Sequence, residues 1–163
     1  MSHTYQPYLE EVGRFLREEL GEGLRPPSSE DEIEDLRRRS NAALGASVPD
    51  PYAELLRITN GLDWNGFMLY ASHSERTEMF ERDVIDGYVE MNSELRSFEP
   101  FRDYLFFAAG EMTHYVYNLV ESRYEELSRD CGELLEVFGS FDAMLTKALY
   151  DLCEITKLGM NAG

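Results

Sequence analysis

The chain has 163 residues, 43% of them hydrophobic, and a formal net charge of −17 from 32 acidic and 15 basic side chains. This length fits one domain, residues 1–163, with a core large enough to fold without a metal or a disulfide. The charge argues against a nucleic-acid ligand, which needs a basic face. The longest apolar stretch, YLFFAAG at 104–110, is too short to cross a bilayer.

Helices are expected first. Tyr5, Leu9, Val12, Leu16 and Leu20 keep the spacing of one helical face and predict a helix over about 8–20, stopped by Gly21 and Gly23. After the rigid LRPPSS connector, Ser29 and Glu32 resemble a capping box. They open a second helix that buries Ile33, Leu36 and Leu44 and ends at Gly45. Asp50 is expected to cap a third helix with Pro51 at its first position, where a missing N–H costs nothing. Tyr52, Leu55, Leu56 and Ile58 would face inward, with the stop at Asn60-Gly61.

The period then changes. Asn65-Gly66 signals a hairpin turn and FMLYA at 67–71 a strand. Val84, Tyr88, Met91, Leu95 and Phe98 predict a fourth helix over about 83–98. YLFFAAG reads as a buried strand and THYVYNLV as another, with Tyr115, Tyr117 and Leu119 on one face. Residues 123–127 could pair with it, and ELLEVF at 133–138 follows a Cys131-Gly132 turn. Ser140 is expected to cap a last helix carrying Phe141, Met144, Leu145, Ala148, Leu149 and Leu152 on one stripe, closed by Gly159. Helices, then short strands, then a helix indicate an α+β domain with an antiparallel or mixed central sheet flanked by helices.

No motif for a reactive site is complete: GxSxG, GxxxxGK[ST], GxGxxG and HExxH are all missing. Cys131 and Cys153 lack metal-ligand spacing and are read as free thiols, so no cofactor or metal is expected. His114 is read as a satisfied strand side chain, His73 as a solvated loop residue and the acids of 30–35 as a solvated helix start. The N-terminus, MSHTYQPYLEE, lacks the features of a signal peptide, and the protein is expected to be cytoplasmic. Trp64 has two readings, a ring lying over a sheet edge or a partner anchor. For Tyr115 and Tyr117 core is preferred to interface.

The acid is spread over residues 10–35, 75–103 and 121–136, so the folded domain itself carries a broad negative field. Such a field suits rapid docking to a basic protein, including one whose groove is basic because it acts on nucleic acid.

From Ser29 to Tyr70 an ordered set of residues resembles the SUKH superfamily, which includes yeast cell-wall synthesis regulators and many bacterial immunity proteins. The matching positions include Ile33, Glu34, Leu36, Val48, Pro49, Tyr52, Leu55, Leu56, Asn60, Gly61, Gly66, Leu69 and Tyr70. Val48 stands where leucine is usual, and Pro51 adds a second proline. The later VFGSFDAML resembles the family's closing strand-to-helix step and suggests the YrhA-like branch. The resemblance covers about residues 28–150 and implies an α+β fold with no catalytic residues to carry over. Pro49, Tyr52, Asn60, Gly61 and Tyr70 would be structural.

What the resemblance implies is binding, and many bacterial members neutralise a toxin. The expected function is therefore a non-enzymatic immunity protein that occludes a basic nuclease- or deaminase-type toxin. The alternative is an intracellular scaffold or regulatory module of the same fold, and a small carboxylate hydrolase ranks last. Exposure and charge, not the family, nominate Asp63, Trp64, Glu111, Glu121, Glu125 and Glu126 as partner contacts.

Overall fold

The computed structural model describes residues 2–77 and 82–162. Three helices come first: α1 (Gln6–Leu20), α2 (Glu30–Leu44) and α3 (Asp50–Leu56). Strands β1 (Leu62–Trp64), β2 (Phe67–Leu69), β3 (Glu75–Thr77) and β4 (Arg82–Ile85) follow, then α4 (Tyr88–Leu95) and a 3-10 turn at Glu99–Phe101. Strands β5 (Tyr104–Ala109), β6 (Thr113–Asn118), β7 (Arg123–Ser128) and β8 (Leu134–Phe138) precede the closing helix α5 (Phe141–Asn161). The main sheet has six strands in the order β1-β2-β5-β6-β7-β8, and β3 and β4 form a separate two-stranded sheet. Every strand pair is antiparallel, with one isolated parallel bridge between Ala71 and Gly87. The domain is α+β, as the order of elements indicated.

Local chemistry explains most boundaries. Ser29 Oγ accepts from the Glu32 amide and Ser140 Oγ from the Ala143 amide, so both expected caps are formed. Gly21 and Gly45 adopt left-handed backbone at the ends of α1 and α2. Asn65 and Gly66 both have positive φ (49° and 84°), the geometry that joins β1 tightly to β2.

Four expectations fail. Asp50 makes no capping bond, because the helix begins one residue earlier than expected, behind an extended Pro49. The chain leaves α3 through Arg57 in right-handed backbone, and Gly61 (φ 85°) turns only four residues later, where a Cβ would meet Ile85 and the Leu69 carbonyl. Residues 83–87 are not helical: Val84 belongs to β4, and α4 begins at Tyr88. Gly159 does not end α5, which continues to Asn161, since a single helical glycine costs only about 1 kcal/mol. In addition, Leu44 is only half-buried and Leu119 lies beyond β6.

The core is built around β5. Consecutive strand residues face opposite ways, and Phe106 and Phe107 feed two ring clusters. Phe107 packs against Tyr52, Tyr88, Tyr124 and Phe141, with Tyr52 and Tyr88 centroids 4.9 Å apart. Phe106 packs against Phe101, Tyr104 and His114. Helix α5 lies across β7 and β8 and packs against α1 and α3, while α2 packs on α4 beside β5. The motif tyrosines meet here: Tyr52 Oη donates to the Tyr70 carbonyl at 2.6 Å, both residues being buried.

His114 differs from its expected role. It is buried against the edges of Phe101 and Phe106, yet its Nδ1 has no hydrogen-bond partner among the described residues. Burial, with Arg129 nearby, pushes its pKa down to about 4. The unfolded histidine titrates near 6.5. Between those values the unfolded chain takes up a proton that the folded chain refuses, so this contribution is whole above pH 6.5 and is lost as pH falls. In urea titrations the stability of wild type relative to His114→Gln should drop by about 1.3 kcal/mol between pH 7.5 and 5.5. A flat difference over that interval contradicts the assignment.

Candidate functional site

The six nominated contact residues separate to opposite ends of the sheet. Glu121 and Glu125 lie at the β6–β7 turn. Here Asn118 Oδ1 accepts the Val120 and Glu121 amides, and Asn118 Nδ2 donates to Glu125 Oε2 at 3.0 Å. Arg123 Nε adds a 2.6 Å bond to the same carboxylate oxygen. Glu121 is exposed, but Glu125 is 1% exposed, so its nomination as a surface contact is corrected: it holds the turn.

The other four gather toward the opposite end. Asp63 is exposed on edge strand β1. Trp64 is half-buried, its ring lying 6.5 Å from Phe15 and its Nε1–H donating to Thr156 Oγ1 at 3.0 Å. Its polar atom is thereby used internally, which matches the reading of a ring over a sheet edge. Glu111 follows β5, is exposed and passes so close to Gly66 that a Cβ there would collide with it. Glu126 is 3% exposed, and its nomination as a surface contact is corrected in the same way as that of Glu125.

Glu111 and Glu126 line one pocket of about 330 Å³ between the sheet and α5. Its apolar lining includes Phe67, Tyr115, Ala148 and Leu152, and Met112 and Ile155 stand at it with most of their surface in water. Lys147 and Asp151 enter from α5. Register explains the arrangement. Tyr115 pairs with Glu126, and Glu126 pairs with Glu136, so a row of side chains runs beneath α5. Lys147, one turn before Asp151, reaches down onto that row. Its Nζ lies 2.7 and 2.8 Å from the two Glu126 oxygens, 3.1 Å from Asp151 and 3.5 Å from Glu136.

This ammonium neutralises the buried carboxylate, which would otherwise be very costly in the interior. Burial alone would lower the Lys147 pKa, but the hydrogen bonds it donates to Glu126 and Asp151 outweigh that and hold the group above its ordinary range. All three of its protons have carboxylate acceptors. The lining contains no histidine, cysteine or serine. The pocket therefore offers shape, apolar surface and negative charge, with the Thr113 and Tyr115 hydroxyls in its lining.

A second polar cluster lies at the start of α2. Asn60 Oδ1 accepts the Ser72 amide at 2.8 Å, and Asn60 Nδ2 reaches Ser72 Oγ and Glu32 Oε2. Ser72 Oγ also lies 3.1 Å from His73 Nδ1. Nucleophilic catalysis needs an accessible hydroxyl, and Ser72 is 0% exposed. The cluster joins α2 to the segment after β2, and gives motif residue Asn60 a structural role. The acids of 30–35 form a largely solvated helix start, as expected, with ion pairs at its surface: Arg57 pairs with Glu30, and Arg38 and Arg39 pair with Asp35. Their hydrogen bonds hold both carboxyls below the usual range.

Among the described residues no group of three or more His, Cys, Asp and Glu side chains could hold a metal ion, Cys131 and Cys153 are free thiols, and no helix is long and apolar enough to cross a membrane. No model of a known protein family matches the chain, and no curated protein matches it.

Proposed function

We propose that this chain is a non-enzymatic protein-binding domain of the SUKH type, and most concretely a cytoplasmic immunity protein that neutralises a basic bacterial toxin, of nuclease or deaminase type, by occlusion. The acid surplus carries this reading. Whatever ion pairs form, 15 bases cannot offset 32 acids, and seventeen negative charges remain for a partner to meet. A field of this strength accelerates encounter with a basic protein and disfavours encounter with nucleic acid. The residue pattern over about 28–150 supports the family part of the reading, and the α+β architecture agrees with the fold that pattern implies.

Co-expression tests the proposal. A toxin domain encoded beside the gene, which the proposal requires, is induced in a sensitive host with and without the chain. Growth should be restored only when the chain is present, and a charge-reversed chain carrying lysine at exposed acids should restore it poorly. Unchanged killing in the presence of well-expressed, folded chain overturns the immunity reading.

A further inference from the structure

We infer that the pocket between the sheet and α5 receives one long cationic side chain, an arginine or a lysine, presented by a protein partner. The inference rests on the binding role proposed above and adds the contact that such a partner would make.

Three observations select this occupant. First, Lys147 has no proton to spare, because Glu126, Asp151 and Glu136 surround its Nζ. An anionic ligand would find no free ammonium proton at Lys147 and would meet the carboxylates around it. Second, the charge of the lining itself is negative: Glu111, Glu126 and Asp151 against Lys147 leave a surplus of 3 − 1 = 2 acids. Glu111 is exposed and has no ion-pair partner among the described residues. Third, the surroundings are apolar where a side-chain stem would lie. Met112 and Ile155, 73% and 57% exposed, put apolar surface in water at the pocket. The methylenes of arginine or lysine cover such surface while the charged head stays in a polar environment. Here the stem would lie on Met112, Ile155 and Tyr115, and the head would meet Glu111 and Asp151.

A second copy of this chain is the wrong occupant, since each copy brings seventeen surplus negative charges. The pocket is also in the size range of a small-ligand site, suited to one side chain rather than a whole segment of a partner.

The test uses a singly charged probe, so that general attraction to an acidic surface stays small. The ¹⁵N-labelled chain is titrated with N-acetyl-arginine methylamide and, separately, with the neutral isostere N-acetyl-norleucine methylamide. The expected result is a saturable response confined to the amides of 110–113 and 147–155, stronger for arginine than for norleucine. The charge-conserving double variant Met112→Ser/Ile155→Ser should weaken arginine binding by at least about fivefold, and Leu134→Ser on β8 should leave it unchanged. Both changes are at exposed positions, and an unchanged unfolding midpoint shows that the fold is intact. Shifts spread evenly over surface acids, equal responses to the two probes, no response, or full binding by the double variant would each overturn the inference. Growth rescue without a pocket response means that the partner docks elsewhere; a pocket response without rescue means that the immunity reading fails while the site stands.

Discussion

Replacing Lys147 with methionine is expected to destabilise the domain by about 3 kcal/mol. The methionine keeps the length and apolar packing of the lysine stem, so the loss isolates the charge. What remains is Glu126, 3% exposed beneath α5, without the ammonium that contacts both its oxygens. A buried ion pair adds little net stability, but breaking one is expensive because the surviving charge has no partner. The companion double variant, Lys147→Met/Glu126→Leu, should therefore recover to within about 1 kcal/mol of wild type. Equilibrium urea unfolding of the two single variants and the double variant measures the coupling directly. Additive losses, or a Lys147→Met variant as stable as wild type, would show that the pair is solvated and that the pocket base is not dry.

Asn92→Leu should cost a similar amount, about 3 kcal/mol, by a different route. Asn92 is 0% exposed, and its side chain serves as a short piece of backbone: Oδ1 accepts the Phe106 amide at 2.7 Å, and Nδ2 donates to the Phe106 carbonyl at 2.8 Å and the Tyr88 carbonyl at 2.9 Å. The strand register shifts between Phe106 and Ala108, so the sheet does not supply these bonds itself. Leucine fills the volume but leaves both Phe106 groups buried and unpaired, at roughly 1–3 kcal/mol each. Ser93→Ala, at the exposed neighbouring position, should change stability by less than about 0.5 kcal/mol. Hydrogen exchange adds a local reading. The amides of 105–109 should lose protection in Asn92→Leu before the rest of β6 and β7 does. Equal stability of the two variants would remove Asn92 from the core account.

These two residues mark where the sequence became hard to read. The long elements were legible because their signals are local. The capping serines, the apolar stripe of α5 and the aromatic run of β5 each state their own structure. Strand β1 escaped notice because LDW offers three residues and no period. The β3–β4 pair was hidden by Val84, which falls at helical spacing from Tyr88 although the two belong to different elements. Asn92 reads as an ordinary helical polar residue, and only a bulge on a distant strand gives it work.

The candidate site was legible in part. Glu111 and Glu126 were among the six nominated acids and ring, and the structure brings them to one pocket. Lys147 and Asp151, which complete it, were overlooked because a lysine and an aspartate one turn apart on a helix resemble ordinary surface pairing. The burial of Glu125 and Glu126 could not be inferred from charge and exposure preferences, since glutamate is rarely buried unless paired. The partners that pay for that burial come from Arg123 two residues away in one case and from α5 in the other.

The most direct measurement titrates the activity of the basic toxin domain that the proposal requires with the purified chain, followed to completion at several times and salt concentrations. Binding by occlusion predicts a sharp end point at one chain per toxin, independent of incubation time, with full toxin activity recovered when the complex is dissociated. Inhibition by far less than one equivalent that deepens with time would mean that the chain is a catalyst. No inhibition at any ratio would mean that its negative surface serves some other partner.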